Sequence, residues 1–151
     1  MDYIMRYLLC IFFCMAPLVA SATTVISLSI EKMAKESDVI VRGVVTQKKS
    51  EWNKARTRIY TLTTLQVGER LKGGQKIVDQ LTIRQLGGEI DGIGQMVVGN
   101  ARFSMGEEVL VFLEKHPTDD VYVVLGMAQG KYSIDRSTTP PSVRRNMKTL
   151  H

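Results

Sequence analysis

Cysteine is nearly missing. The 151-residue chain has two, Cys10 and Cys14, both close to its start. Beyond them there is no thiol to form a disulfide, attack a substrate or hold a metal. Histidine is as scarce: His116 lies in a turn-like stretch and His151 is the last residue. That pair supports neither a Ser-His-acid triad nor a tetrahedral zinc site. The sequence therefore predicts no catalytic residue, no cofactor and no metal. Aromatics make up 7%. After the first residues they are Trp52, Tyr60, Phe103, Phe112, Tyr122 and Tyr132. Proteins that hold single-stranded nucleic acid stack bases on several exposed rings. Some of these rings are needed for a core, so nucleic acid is the weaker expectation. No repeat of 20–50 residues is visible either.

The longest apolar run, Leu8 to Ala20, follows one early cation, Arg6, and leads into Ala20-Ser21-Ala22. That order predicts a secretory signal peptide over residues 1–22, cleaved after Ala22. The run is short for a membrane helix and has no stop-transfer flank. A retained N-terminal anchor is the alternative. A lipoprotein box is disfavoured because Phe12 and Phe13 precede Cys14 where small residues are needed. The expected location is secreted or periplasmic, with no stable membrane insertion after cleavage. Cleavage removes Asp2 with Arg6, so the net charge stays at +5. The one dense basic group is QKKSEWNKARTR, Gln47 to Arg58. It reads as a solvated hairpin tip, although a basic balance also suits anionic partners.

SLSIEKMAKESD predicts a short helix. Ser29 can cap its free amides, and Leu28 with Met33 fits a hydrophobic staple. Ile30, Met33 and Ala34 then share one face, expected to lie on the rest of the domain. Val39 to Gln47 is apolar on both parities except Arg42, which fits a central strand covered on both faces. Arg42 must reach an edge or pair with a carboxylate. Gly43 within that strand predicts a bend or a close backbone approach. In the next strand Ile59, Thr61, Thr63, Leu65 and Val67 share a parity, and Leu71 is expected to plug the barrel end. IVDQLTIRQL, EVLVFLEK, VYVVLGMA and GKYSI supply further strands, with HPTDD as a hairpin loop. The expected fold is mainly β: an OB-like barrel of five to six strands over residues 23–135, with one short N-terminal helix packed on it. Residues 136–151, with adjacent prolines and no periodicity, read as an exposed, disordered tail or a linker.

The glycine-rich stretch GGEIDGIGQMVVGNARFSMGEEVLVFL, Gly87 to Leu113, needs its own account. It lacks the Gly-Lys-Ser/Thr ending of a phosphate loop. Val97 stands where a dinucleotide fingerprint needs glycine, and no helix follows to bind an anion. RFSMG has Arg102 in place of the first glycine of a nucleophile elbow. The stretch is therefore read as a shaped crossing of a barrel. Gly87, Gly88, Gly99 and Gly106 turn it, and Phe103 plugs the core. Glu107 and Glu108 point to opposite faces of a strand start and read as solvated edge charges, with Glu107 able to cap or meet a nearby cation. A crossing this long is often functional. Glu89, Asp91, Gln95, Asn100 and Arg102 are its candidate binding residues.

SIEKMAKESDVIVRGVV, LKGG, the glycine-rich stretch and GMAQGKYSI together resemble a family of uncharacterised secreted bacterial proteins. The resemblance runs from Leu28 to Ile134. Ser37 to Arg42, Leu71 to Gly73 and Gly106 to Val111 also show a distant likeness to the netrin-like domain of the tissue inhibitors of metalloproteinases. That likeness implies an OB-type barrel, whose strand face and loops take ligands. It does not imply the inhibitors' activity, which needs an N-terminal cysteine; a chain beginning Thr23-Thr24 has none. The expected function is an exported, non-enzymatic binding module with a protein partner. Nucleic-acid or anionic-glycan binding is the alternative.

Overall fold

The computed structural model describes residues 27–74 and 79–145. The expected leader and its cleavage site lie outside these residues, as does the chain end after Arg145. The elements are α1 (Ile30–Glu36), β1 (Val39–Trp52), β2 (Ile59–Lys72), β3 (Gln80–Leu86), β4 (Gly88–Ile90), β5 (Ile93–Gln95), β6 (Glu108–Lys115), β7 (Tyr122–Val124), a 3-10 turn (Met127–Gly130), β8 (Lys131–Asp135) and β9 (Ser142–Arg145). Strands β1, β2, β3, β7 and β6 follow one another around a barrel, which closes where β6 pairs back with β1. The β3–β7 contact, Ile83 against Tyr122, is parallel; the other pairings are antiparallel. One edge of β6 serves β1. The other is divided between β8 at Val109–Val111 and β7 at Leu113–Lys115.

Alternation sorts the side chains into two layers. Val39, Val41, Val45, Leu65, Leu81, Ile83, Val109, Val111, Leu113 and Val124 fill the barrel. Ala101 and Phe103 enter from the glycine-rich crossing. The opposite parity builds a smaller core outside the wall, where Met33 meets Ile40, Phe112, Leu125 and Tyr132. This is why β1 is apolar on both parities: its first half lies between the barrel interior and α1. Ser29 caps the helix by accepting from Lys32 N at 3.2 Å. Ile30 does not join the packed face but is 54% exposed. The helix is only seven residues long, and Met33 with Ala34 covers what it can reach.

Gly43 sits at a register shift between β1 and β2. A Cβ there would lie 2.5 Å from the Gln66 carbonyl oxygen, so the strands can approach only with glycine in place. Three other expectations are corrected. Leu71 does not plug the barrel; it is 59% exposed. Its neighbour Lys72 turns in and donates to the carbonyls of Ala34, Lys35 and Ser37, capping the helix C-terminus. The basic group from Gln47 is strand as far as Trp52, and only residues 53–58 form the tip. The stretch after Asp135 is not wholly a free tail. Ser142–Arg145 returns as β9 on β8, with Arg145 donating to the Tyr132 hydroxyl and its guanidinium 4.9 Å over that ring.

Candidate functional site

The glycine-rich crossing holds structure that its composition hides. Gly87 and Gly88 have φ of 101° and 141° and swing the chain off β3. A Cβ on Gly88 would meet Thr61 Oγ1 at 2.5 Å and Ser50 Oγ at 2.8 Å, so the backbone lies flat on the β1–β2 ribbon. Strands β4 and β5 then pair as a small hairpin. Its turn is Asp91-Gly92, with φ of 53° and 76°. Two positive φ angles make the turn that suits a tight hairpin, and Asp-Gly is its sequence mark. That mark could have revealed the hairpin in advance. Beyond it the chain turns again at Gly99 and Gly106, both with positive φ.

The five candidate residues divide by what their side chains touch. Gln95 accepts from Ile59 N at 2.9 Å, and Asn100 Nδ2 donates to the Leu86 carbonyl at 2.6 Å. These two fasten the crossing to the barrel. Glu89, Asp91 and Arg102 are exposed. Phe103 is buried next to Arg102, so the expected alternation holds. Glu89, Gln95, Asn100 and Arg102 come together around a groove of about 620 Å³, while Asp91 stands away from it at the hairpin tip. Lys48 and Met96 share its lining, and sequence reasoning missed both. Lys48 Nζ spans the groove to the Phe103 carbonyl at 2.7 Å. Apolar side chains stand open on the same crossing: Ile93 is 53%, Met96 82%, Val98 69% and Met105 60% exposed.

A second groove of about 370 Å³ shares Gln85, Leu86, Val97 and Asn100 with the first. At its mouth Arg84 Nη1 meets Asp119 at 2.6 Å, and Nη2 donates to His116 Nε2 at 2.7 Å. The Arg84 hydrogen bond does most to hold the Asp119 carboxyl below its usual range. The same guanidinium lies 5.2 Å over the Tyr60 ring.

Behind Phe103 is a polar cluster that sequence reasoning caught only at Glu107, and it corrects the solvated reading: Glu107 is part-buried and ion-paired, as is Glu108 with Arg42 and Arg136. Lys131, 3% exposed, gives its ammonium to Glu107, and the Ser133 hydroxyl donates to the same carboxylate. Lys131 Nζ also lies 3.0 Å from Ser133 Oγ and 5.5 Å over the Phe103 ring. Burial pushes the Glu107 carboxyl up. Hydrogen bonds from Lys131, Ser133 and Ser104 N outweigh it and leave the group below its usual range. A serine beside a lysine could form a nucleophile and its base. Here Glu107 engages both, so the serine proton points at a carboxylate and not at a free amine. The cluster serves to hold β8 against the start of β6.

Among the described residues no group of three or more His, Cys, Asp or Glu could hold a metal ion. No helix among them is long and apolar enough to cross a membrane. The chain matches no family model, no curated protein and no solved structure.

Proposed function

We infer that the chain is an exported, non-enzymatic binding module, working outside the cell or in its envelope, with a protein as partner. The carrying observation is the set of open apolar side chains on the crossing, Ile93, Met96, Val98 and Met105, of which Met96 lines the larger groove. Exposed apolar side chains gathered on one segment favour contact with another protein. Methionine suits such a surface because its flexible thioether adapts to what it meets. The strand order, with β3 parallel to β7, the second strand of the β6–β7 hairpin, favours an OB-type barrel, and the netrin-like resemblance stands on the same order. Export rests on the residue pattern of positions 1–22.

The alternative, a single-stranded nucleic acid on the barrel, meets a specific obstacle. Trp52, Tyr60, Phe103 and Tyr132 each have a cation over the ring. Phe112 is buried edge-on against Tyr132, and Tyr122 packs on the barrel core. Bases would have to displace these partners to find a stacking surface.

The test is capture with the exported protein from its own culture, followed by mass spectrometry of both bait and partners. The bait should begin at Thr23 and carry a specific protein. A bait that retains Met1 or bears a lipid on Cys14 removes the reading of cleavage after Ala22 without lipid. Recovery of nucleic acid or glycan alone removes the protein-partner reading.

A further inference from the structure

Strand β1 outruns its partner on one side. Its pairing with β6 ends at Val44 and Glu108, and Val45 closes the contact by bonding to Glu107 and Gly106. From Gln47 to Trp52 it pairs only with β2 among the described residues. The other edge of this stretch presents backbone N–H and C=O groups with no strand beside them. Such an edge is a template for another strand.

The two faces at that edge differ. Side chains alternate along a strand. Ser50 faces the β4–β5 hairpin, because it is one of the atoms a Cβ on Gly88 would strike. Lys48 shares that parity and lines the large groove, where Met96 also stands. Met105 is one residue from Gly106, whose N–H bonds to Val45 at 2.8 Å, so it sits at the inner end of the same edge. On the opposite parity are Gln47, Lys49 and Glu51. Lys49, Lys54, Arg58 and Arg102 are exposed and meet no carboxylate within ion-pair distance among the described residues. The carboxylates set against them are Glu51, Glu89 and Asp91.

We propose that this edge takes an extended, acidic segment of the partner protein, added as a strand beside Gln47–Trp52. The proposal rests on the protein-binding reading above and names where and what that partner is. Charge decides the occupant. Lysines on an edge repel basic strands, and a second copy would bring the same excess of unpaired cations to the edge. An acidic strand is admitted because its carboxylates replace the missing counter-charges. Its alternate side chains would be apolar, lying over the groove beside Met96 and Met105. Main-chain bonds would supply affinity and the alternate pockets selectivity, as in other strand additions.

Trp52, the chain's single tryptophan, ends the edge strand and reports on it directly. The probes are short blocked peptides alternating valine with glutamate or valine with lysine, and oligothymidine. The valine–glutamate peptide should shift Trp52 fluorescence saturably, weaken with salt, and slow amide exchange at Gln47–Trp52. Lys49→Glu should weaken it by about tenfold. No binding, equal binding of the lysine peptide, or protection elsewhere overturns the proposal. So does oligothymidine binding that protects the same amides. Lys49→Glu bait in the capture experiment separates the two readings. A partner kept by the variant leaves the binding module standing and removes this edge. No specific partner for either bait removes both.

Discussion

Arg42 reaches diagonally across the β1–β6 ladder to Glu108, Nη1 to Oε1 at 2.7 Å. Arg42 also reaches Glu69 at 3.0 Å, and Arg136 meets Glu108 from the far side at 2.6 Å. One carboxylate thus ties the first strand, the sixth, and the chain beyond β8. It is the pairing that Arg42 needs to stand in an otherwise apolar strand.

This tie makes stability depend on acid. The Arg136 hydrogen bonds act most strongly on Glu108. Partial burial opposes them, Arg42 adds to them, and the carboxyl titrates at about 2. A folded-state value below the unfolded one, about 4.3 for glutamate, stabilises the fold above the unfolded value. That stabilisation is lost as pH falls towards 2. Glu108→Gln should cost about 1 kcal/mol at neutral pH. Its melting temperature should then fall less than the parent's on acidification. Parallel curves for the two proteins would contradict this.

Replacing Gly43 tests the close approach of β1 and β2. Gly43→Val drives carbon into the Gln66 carbonyl and should cost on the order of 1–3 kcal/mol, the usual range for overpacking. Denaturant titration reads it. An unchanged midpoint would mean the strands can part freely.

Phe103 and Arg102 should respond in opposite ways. Phe103→Ala empties the barrel mouth beneath Lys131 and should cost roughly 3–5 kcal/mol. Arg102→Ala should leave stability within about 0.5 kcal/mol. The reverse order would place the segment inside out.

Lys72 should matter where Leu71 does not. Lys72→Met keeps the aliphatic stem but leaves the last helical carbonyls without their cation. The expected loss is about 1–2 kcal/mol, with faster amide exchange around Met33 and Ser37. Leu71→Ala should be neutral within about 0.5 kcal/mol. Equal effects of the two changes would show that Lys72 contributes only its stem.

What could be read in advance rested on short-range rules. Ser29 as a cap, the shared parity of Ile59 to Leu65, the glycine at position 43 and the opposition of Arg102 to Phe103 all follow from neighbours along the chain. Caps, alternation and φ are set within a few residues, so their traces survive in one dimension. The binding residues were only half legible. The exposed side chains of Glu89 and Arg102 followed from alternation and polarity. The use of Gln95 and Asn100 as fasteners did not, because their partners Ile59 and Leu86 belong to other strands.

Pairing between distant elements decided the rest. Lys131, Glu107 and Ser133 meet because β8 lies on β6, and an exposed lysine and a buried one look alike in sequence. Strand β9 is short and weakly apolar, and it exists because β8 offers an edge. Lys72 turned inward, and Leu71 outward, because α1 ends where the lysine can reach its carbonyls. The open edge of β1 is the sharpest case. The same residues would be an ordinary interior strand if β6 ran longer. Only the length of its neighbour leaves Gln47 to Trp52 half paired, and that length follows from where Gly106 turns the crossing into β6.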